Sequence, residues 1–250
     1  MEYVTSRQNS AVQHVKKLAS NRKFRRETGE FLCEGPKMWA EAMEHGWMVS
    51  TLLTSEEDLL RQYEGTPARS VLVTPELLSY AADTETPQKM IFTCRIPEQT
   101  EELQGERFLV LDGVQDPGNV GTIWRTADAF GADGLILLPG CADPWSPKVV
   151  RSTMGACFRL PVLNCTLDDL LSVLRQKQIP LYATALREDT RDIRTVELKR
   201  SAVVIGSEGR GVSDAVLACC EQTIIIPMRE RCESLNAAMA AGIVLWESWR

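Results

Sequence analysis

The order of hydrophobic and polar positions predicts a small α/β region in the first 97 residues. Apolar side chains recur at helical spacing in residues 9–18, after a capping Asn9 or Ser10, and shorter apolar runs alternate with turn residues further on. Strands are predicted at 30–34, 49–53 and 70–73, and helices at 9–18, at 36–45 and from 74 onwards.

From residue 107 the alternation of strands and helices is stronger. Continuous apolar runs at 202–205 and 224–226 indicate strands buried on both faces, as in a parallel sheet flanked by helices. Strands are predicted at 108–112, 134–138, 181–186, 202–206 and 223–226, and helices at 119–130, 166–177, 213–220 and 234–248.

Changes in composition divide the chain further. Residues 97–105 are polar, acidic and rich in turn formers, which is typical of a linker. The predicted divisions are a basic N-terminal helical arm at 1–29, a small α/β domain at 30–97, a linker at 98–106 and a parallel-sheet domain at 107–250.

Composition favours a cytoplasmic globular protein. The 250 residues are 44% hydrophobic and 25% charged, and the run at 134–138 is far too short to span a bilayer. The N-terminus has no basic-then-apolar signal pattern. The eight cysteines form no C-x-x-C pair and only two histidines are present, so reduced thiols and no metal site are predicted.

Charge is distributed unevenly along the chain. The overall charge is −6, yet residues 1–29 carry seven basic and two acidic side chains, so this segment is +5 and the remainder −11. A basic segment on an acidic protein suits local contact with phosphates, although a solvated helix face would have the same composition. The predicted RNA-binding residues are Arg22, Lys23, Arg25 and Arg26.

Three loops at predicted strand ends carry candidate chemistry, because ligands of parallel sheets bind at the carboxyl ends of the strands. In the first loop, the strand ends at Asp112 and Asn119 is predicted to cap the next helix. At 100° per residue Arg125 lies opposite the apolar face of that helix, where it could hold an RNA phosphate or ribose or be a solvated arginine. The predicted apolar face consists of Val120, Ile123, Trp124 and Ala127.

The second loop follows the buried strand that ends at Gly206. Its glycines are spaced G-x-x-G-x-G without a following lysine, which excludes a Walker A loop and the dinucleotide fingerprint. Glycines still allow the backbone to approach a flat ligand such as adenine. The helix after this loop is predicted to be capped at Ser213 and Asp214.

The third loop runs from the apolar corner Ile226-Pro227-Met228 to a helix predicted to open with Ser234. Asn236 would lie in the first turn of this helix, near the other two loops. Ser234 and Asn236 could equally be plain helix caps. Leu235, Met239, Gly242 and Trp246 form the predicted packing stripe.

Together and in this order, the three loops resemble the motifs of the SpoU-type RNA 2′-O-ribose methyltransferases of the SPOUT superfamily. The resemblance covers residues 107–250, and residues 5–9 and 31–35 resemble the RNA substrate-binding domain that often precedes them. It implies a parallel-sheet domain with a deep trefoil knot, S-adenosylmethionine as cofactor, and a homodimer in which Arg125 serves across or beside the interface.

The resemblance also assigns roles to individual residues. Residues implied at the cofactor are Gly206, Ile226, Met228, Leu235 and Thr184. Residues implied around the reacting ribose are Asn119, Arg125, Glu208, Ser234 and Asn236. The chain departs from the family at Glu230, where a glycine is usual, and this predicts a different conformation for the third loop.

The implied reaction moves a methyl group from a sulfonium to a ribose hydroxyl, so the protein must position the groups and remove one proton. His14 and His45 are far from the loops in sequence, which disfavours a histidine base. Arg125 is expected to orient a phosphate, and either this phosphate or Arg125 takes the proton. The N-terminal domain favours 23S ribosomal RNA as substrate; transfer RNA and a non-catalytic RNA-binding role are the alternatives.

Overall fold

The structure is a computed structural model that describes residues 2–63, 65–98, 104–229 and 234–250. The chain forms two compact units: Met1–Glu98 with Trp145–Phe158, and Gln99–Pro144 with Arg159–Arg250. No helix in the described ranges is long and apolar enough to cross a membrane. Glu230, whose effect on the third loop was predicted, lies outside the described residues.

The elements alternate along both units. The strands are β1 (Glu2–Val4), β2 (Glu30–Glu34), β3 (Val49–Thr54), β4 (Arg69–Val73), β5 (Met90–Arg95), β6 (Arg107–Asp112), β7 (Gly134–Leu137), β8 (Val162–Asn164), β9 (Leu181–Thr184), β10 (Arg191–Asp192), β11 (Ser201–Gly206) and β12 (Gln222–Ile225). The helices are α1 (Ser10–Ser20), α2 (Arg22–Thr28), α3 (Pro36–Glu44), α4 (Glu57–Gln62), α5 (Pro75–Ala81), α6 (Pro117–Ala129), α7 (Pro147–Thr153), α8 (Leu167–Lys177), α9 (Asp214–Leu217) and α10 (Ala237–Trp249).

The first unit contains a mixed five-stranded sheet in the order β1-β4-β3-β5-β2. The N-terminal segment, predicted as a separate arm, is part of this unit, because β1 pairs with β4. The apolar face of α1 is also buried in the core of the unit through Val12, Val15 and Leu18. A basic exterior and an apolar interior therefore coexist on one helix.

The segment Trp145–Phe158 belongs to the first unit, although the sequence placed it in the parallel-sheet domain. Aromatic packing accounts for this difference. The ring of Phe31 lies 4.6 Å from that of Trp145, and the indole nitrogen of Trp47 donates a 3.0 Å hydrogen bond to the carbonyl of Phe158. Burying these large rings outweighs continuity along the chain.

The second unit is built on a seven-stranded sheet in the order β10-β12-β9-β11-β6-β7-β8. Every pairing in it is parallel. This arrangement confirms the predicted parallel sheet, and the central strand β11 is buried along its whole length. The carboxyl ends of β6, β11 and β12 lead into the three loops singled out from the sequence.

Two helix starts differ from the predictions. The cap of α6 is Asp116, whose side chain accepts a hydrogen bond from the backbone nitrogen of Asn119. The cap of α10 is Asn236 and not Ser234. The segment before each of these two helices contains several residues able to cap it, and spacing alone does not show which of them does so.

Candidate active site

The first loop leaves the side chain of Asn119 available for contacts with the other two loops. Because Asp116 caps α6, the amide of Asn119 is not used to close the helix. The same loop is joined to the second one by Asp112, whose carboxylate accepts a 2.7 Å hydrogen bond from the backbone nitrogen of Ser213. Sequence reasoning identified Asp112 only as a strand end and missed this contact.

A chain of hydrogen bonds joins all three loops at Asn119. Its Nδ2 donates to Oε1 of Glu208 over 2.6 Å, and its Oδ1 accepts from Nδ2 of Asn236 over 3.1 Å. The partners are separated from Asn119 by 89 and 117 residues in sequence. Three residues that the resemblance placed at the ribose are therefore brought together.

The direction of this chain is determined by the backbone of α10. The Oδ1 of Asn236 accepts hydrogen bonds from the backbone nitrogens of Ala238 and Met239, and a backbone N–H can only donate. The amide nitrogen of Asn236 must then donate to Asn119, and the amide nitrogen of Asn119 to Glu208. The network assigns both amide orientations in this way.

The second loop folds back on itself above Gly206. Ser207 and Gly211 exchange two backbone hydrogen bonds of 3.0 and 2.9 Å. A Cβ atom at Gly206 would overlap the backbone of Gly211 and Val212, whereas one at Gly209 would meet nothing within 4 Å. Gly206 thus permits a closed loop that holds Glu208 toward Asn119.

The residues implied at the cofactor lie at neighbouring strand ends. Thr184 ends β9 beside Ile224 of β12, and its hydroxyl donates a 2.8 Å hydrogen bond to the carbonyl of Val204. That bond gives Thr184 a structural role in holding β9 to β11. Ile226, just past β12, is half-buried.

Apolar side chains are exposed around these strand ends. Leu186, Met228 and Leu235 are 82%, 37% and 37% exposed, whereas every residue of the strands β9 and β12 is buried or half-buried. An apolar surface with open glycine backbone suits the adenine and thioether parts of S-adenosylmethionine. The residues present therefore fit the cofactor that the resemblance implies.

Arg125 and Ser234 are not part of the hydrogen-bond chain among the described residues. Arg125 is exposed, as predicted, and lies about 120° around α6 from Asn119 at 100° per residue. Ser234 is also exposed and precedes the cap of α10 by two residues. The predicted apolar face of α6 is confirmed, since Val120, Ile123, Trp124 and Ala127 are all buried.

The predicted packing stripe of α10 is confirmed only in part: Trp246 packs edge-on against Phe130, with ring centroids 5.9 Å apart. Met239 and Trp246 are 63% and 49% exposed, and the buried side of the helix is lined instead by Ala241, Val244 and Leu245. The helix is apolar on both sides, so periodicity does not identify its inner face.

Of the four predicted RNA-binding residues, three are exposed and one is not. Arg22, Lys23 and Arg26 project from α2 into solvent. Arg25 is only 5% exposed, and its guanidinium donates a 2.6 Å hydrogen bond to the carbonyl of Leu18. Arg25 therefore stabilises the turn between α1 and α2, and we remove it from the RNA-binding set.

A buried thiol, that of Cys141, lies beside the first loop. Cys141 is buried and its Sγ donates to the carbonyl of Leu111 over 3.3 Å. Burial raises the pKa of this thiol to about 11, so it is protonated at neutral pH. In the part of the chain that the structure describes, no three His, Cys, Asp or Glu side chains are grouped to hold a metal ion.

Comparison with known families agrees with this geometry. Residues 106–246 match the SpoU rRNA Methylase family. The chain belongs to this family. Residues 9–91 match the MRM3-like substrate binding domain, so the resemblance inferred for both regions is confirmed.

Individual SpoU relatives match almost the whole chain. This chain is 32% identical over 246 residues to the 23S rRNA (guanosine(2553)-2′-O)-methyltransferase RlmP of Bacillus subtilis, and the match covers 98% of each chain. It is 33% identical to the 23S rRNA (uridine(2479)-2′-O)-methyltransferase of Streptomyces viridochromogenes, covering 99% of this chain and 91% of that one. The AdoMet bound rRNA methyltransferase from Sinorhizobium meliloti superposes with a TM-score of 0.89 at 32% identity, covering 99% and 97%.

Proposed function

We propose that this SpoU protein transfers a methyl group from S-adenosylmethionine to a ribose 2′-hydroxyl of 23S ribosomal RNA in the cytoplasm. The observation that carries the proposal is the hydrogen-bond chain from Glu208 through Asn119 to Asn236. Such a chain fixes the orientation of the side chains, as a reacting centre requires. The names of the two 23S rRNA relatives favour ribosomal over transfer RNA.

In the proposed reaction, the bound cofactor supplies an activated methyl group, and the protein supplies geometry. Asn119, held by Glu208 and Asn236, orients the ribose at the carboxyl ends of β6, β11 and β12. Both histidines lie in the first unit and are engaged there, His14 with Glu30 and His45 with the carbonyl of Glu41. Neither histidine is therefore assigned as the proton acceptor.

Arg125 is the proposed partner of the RNA phosphate beside the reacting ribose. A guanidinium keeps its positive charge, so it binds the phosphate, and this charge favours loss of the proton from the hydroxyl. The proton then passes to the phosphate that Arg125 holds. Because Arg125 lies about 120° around α6 from Asn119, we place it at the site of the second subunit in a homodimer.

Incubation of the full chain with methyl-labelled S-adenosylmethionine tests this function. Label should enter 23S RNA that lacks its native methyl groups. The added 2′-O-methyl group should make one phosphodiester bond resistant to alkali, because it blocks cleavage. Label in transfer RNA instead would favour the alternative substrate. Absence of label from both, with RNA binding retained, would favour a non-catalytic member of the family.

Cofactor binding should depend on Gly206 but not on Gly209. Alanine at 206 overlaps the backbone of Gly211 and Val212, so the second loop must open, at a cost of roughly 1–3 kcal/mol. By calorimetry, Gly206→Ala should weaken the micromolar affinity expected for S-adenosylhomocysteine about five- to 150-fold, while Gly209→Ala should retain it. The unaltered protein should bind neither NAD nor ATP, and comparable NAD binding would revive the nucleotide-fold interpretation of this loop.

The exposed basic residues of α2 should contribute to RNA affinity through phosphate contacts. Replacing Arg22, Lys23 and Arg26 together by alanine should weaken RNA binding and reduce the slope of log K against log salt by about two to three units. Cofactor affinity should not change. An unaltered slope would mean that these residues do not contact phosphates.

A charge-matched control is available in the same unit. Three other exposed basic side chains can be replaced by alanine together: Lys37, Arg61 and Lys89. This control should leave the slope unchanged if RNA binding is local to α2. If both triple variants reduce the slope of log K against log salt by the same amount, RNA affinity depends only on the overall charge of the unit.

The outer face of α10 is the proposed dimer interface. Met239, Ile243, Trp246 and Trp249 are 63%, 36%, 49% and 55% exposed, and the rings of Trp246 and Trp249 lie 5.8 Å apart. A helix that is apolar on both faces is normally buried on both, and a two-fold axis would let this face cover its own copy. The trefoil knot and the dimer remain predictions from the resemblance.

Trp246→Glu should convert the dimer to a monomer, because a buried unpaired carboxylate is strongly unfavourable at an apolar interface. Light scattering should show the mass of two chains for the unaltered protein and of one chain for the variant. Met48→Glu is a matched control, since Met48 is 66% exposed in the first unit. A single-chain mass for the unaltered protein at micromolar concentration would contradict the interface.

A further inference from the structure

The first unit carries an aromatic side chain approached by two cations. The guanidinium carbon of Arg7 lies 4.8 Å from the ring centroid of Tyr80, and Nζ of Lys16 lies 5.2 Å from the same centroid. Tyr80 is half-buried. We call Tyr80, Arg7, Lys16 and Gln13 the Tyr80 cluster.

Packing of α1 against α5 builds this cluster. Leu77, Leu78 and Ala81 bury one side of α5, which leaves Tyr80 at the margin of the core. The side-chain nitrogen of Gln13 donates 2.7 Å to the carbonyl of Arg7 and 3.4 Å to the hydroxyl of Tyr80. Gln13 therefore ties the loop before α1 to the ring.

The cations of the Tyr80 cluster both lie over one aromatic ring. Within the described ranges, no ion pair joins Arg7 or Lys16 to an acidic side chain. Glu76, one turn before Tyr80 on α5, hydrogen-bonds to Thr74, which holds its pKa below the usual value. Two like charges near one ring repel each other, and an anion between them would relieve the repulsion.

A second pair of the same kind lies on the same helix. Nζ of Lys17 is 5.6 Å from the ring centroid of Phe24, and the ring of His14 meets Phe24 edge-on at 5.2 Å. Cations interleaved with aromatic rings are typical of proteins that bind single-stranded nucleic acid, because rings stack on bases while cations hold phosphates. A paired helix offers phosphates but no free base face.

We propose that an unpaired nucleobase of the RNA substrate stacks on Tyr80 in place of one of these two cations, and that Arg7 and Lys16 then hold the phosphate beside it. This inference rests on the proposed function for the identity of the RNA, and it makes the first unit selective for unpaired over double-stranded RNA. The signal was absent from the sequence, because Tyr80 is far from the basic residues along the chain.

The test compares an unstructured 16-nucleotide RNA with a blunt 16-base-pair RNA duplex, by fluorescence anisotropy on the full chain. Tyr80→Leu should weaken binding of the single strand about five- to 150-fold and leave duplex binding unchanged, because only the single strand offers a base to stack. Tyr80→Phe should bind as the unaltered protein. Tyr3→Leu is the matched control, since Tyr3 is 62% exposed in the same unit.

The same assay should distinguish the contribution of the two cations to RNA affinity from the contribution of stacking on Tyr80. The double variant Arg7→Gln, Lys16→Gln should reduce the salt slope for the single strand by about 1.4, whereas Tyr80→Leu should not change it. Equal loss on both RNAs with Tyr80→Leu, or no loss on either, would overturn the proposal. Competition by poly-glutamate that depends on Tyr80 would indicate an acidic protein partner and would also overturn it.

The outcome is independent of methyl transfer. Selective single-strand binding through Tyr80 in a chain that transfers no methyl group would refute the proposed function and keep this inference. Methyl transfer with no effect of Tyr80→Leu on either RNA would do the reverse.

Discussion

Replacing Asn119 by aspartate is expected to lower the rate of methyl transfer about a hundredfold, the size of loss that follows a misplaced reacting group. The substitution keeps the shape of the side chain but removes the donor to Glu208 and puts a second carboxylate 2.6 Å from the first. Repulsion between the two then moves both groups. The measurement is single-turnover transfer at saturating RNA and cofactor.

The fold should survive this change, because Asp116 and not Asn119 caps α6. Activity should recover partly as the pH falls, since a proton shared between the two carboxylates restores a donor. Gln115→Glu is the control: it makes the same change of amide to carboxylate at an exposed position of the same loop. If Asn119→Asp and Gln115→Glu were equally active, the hydrogen-bond chain would have no part in the reaction.

Arg125→Ala is expected to remove most methyl transfer while leaving the fold and cofactor affinity nearly intact. Arg125 is exposed on α6, and exposed substitutions usually change stability by less than about 0.5 kcal/mol. Arg125→Lys keeps the charge but loses the planar fork that holds two phosphate oxygens, so it should stay far below normal activity. Turnover and melting temperature are measured for both variants.

Arg175→Ala is the matched control, because Arg175 is an exposed arginine in the last turn of α8. Near-normal turnover with lysine at 125 would mean that Arg125 supplies only charge. Full activity of both variants would remove Arg125 from the active site. If Arg125→Ala simply unfolds, the residue is structural, and the interpretation of its exposed position is wrong.

Mixing inactive variants separates the two possible locations of Arg125. Arg125→Ala and Asn119→Asp chains, mixed and allowed to exchange subunits, should regain up to about one quarter of normal activity if each site combines both subunits of a two-fold dimer. If Arg125 acts within its own subunit, each chain of the mixed dimer lacks one of the two residues, and no activity returns.

Much of the second unit could be predicted from the sequence because its strands are buried on both faces. Short continuous apolar runs between turn residues are typical of such strands. The predicted ends lie within two residues of the observed ones for five strands: β6, β7, β9, β11 and β12. The sequence did not predict four strands of the two units: β1, β5, β8 and β10. Three of these, β1, β8 and β10, are very short, and a short strand is stabilised mainly by the neighbouring strands with which it pairs.

The failures have tertiary causes. Arg25 occurs in a basic run and was assigned to the surface, yet its contact with the carbonyl of Leu18 is visible only once α1 and α2 have turned toward each other. The most buried side of α10 was not identified, and the exposed Met239 was assigned to the packing stripe, because small alanines and large side chains both count as apolar. The sequence could suggest that Asn119, Glu208 and Asn236 meet, but only the fold shows which atoms donate.

The proposed function is tested most directly by mapping 2′-O-methyl groups at nucleotide resolution in total RNA. Cells with the gene, without it, and with only the Asn119→Asp form are compared. We expect one 2′-O-methyl position of 23S RNA to disappear with the gene, to return with the unaltered protein, and to stay absent with Asn119→Asp. Unchanged methylation in all three, or loss confined to transfer RNA, would contradict this function.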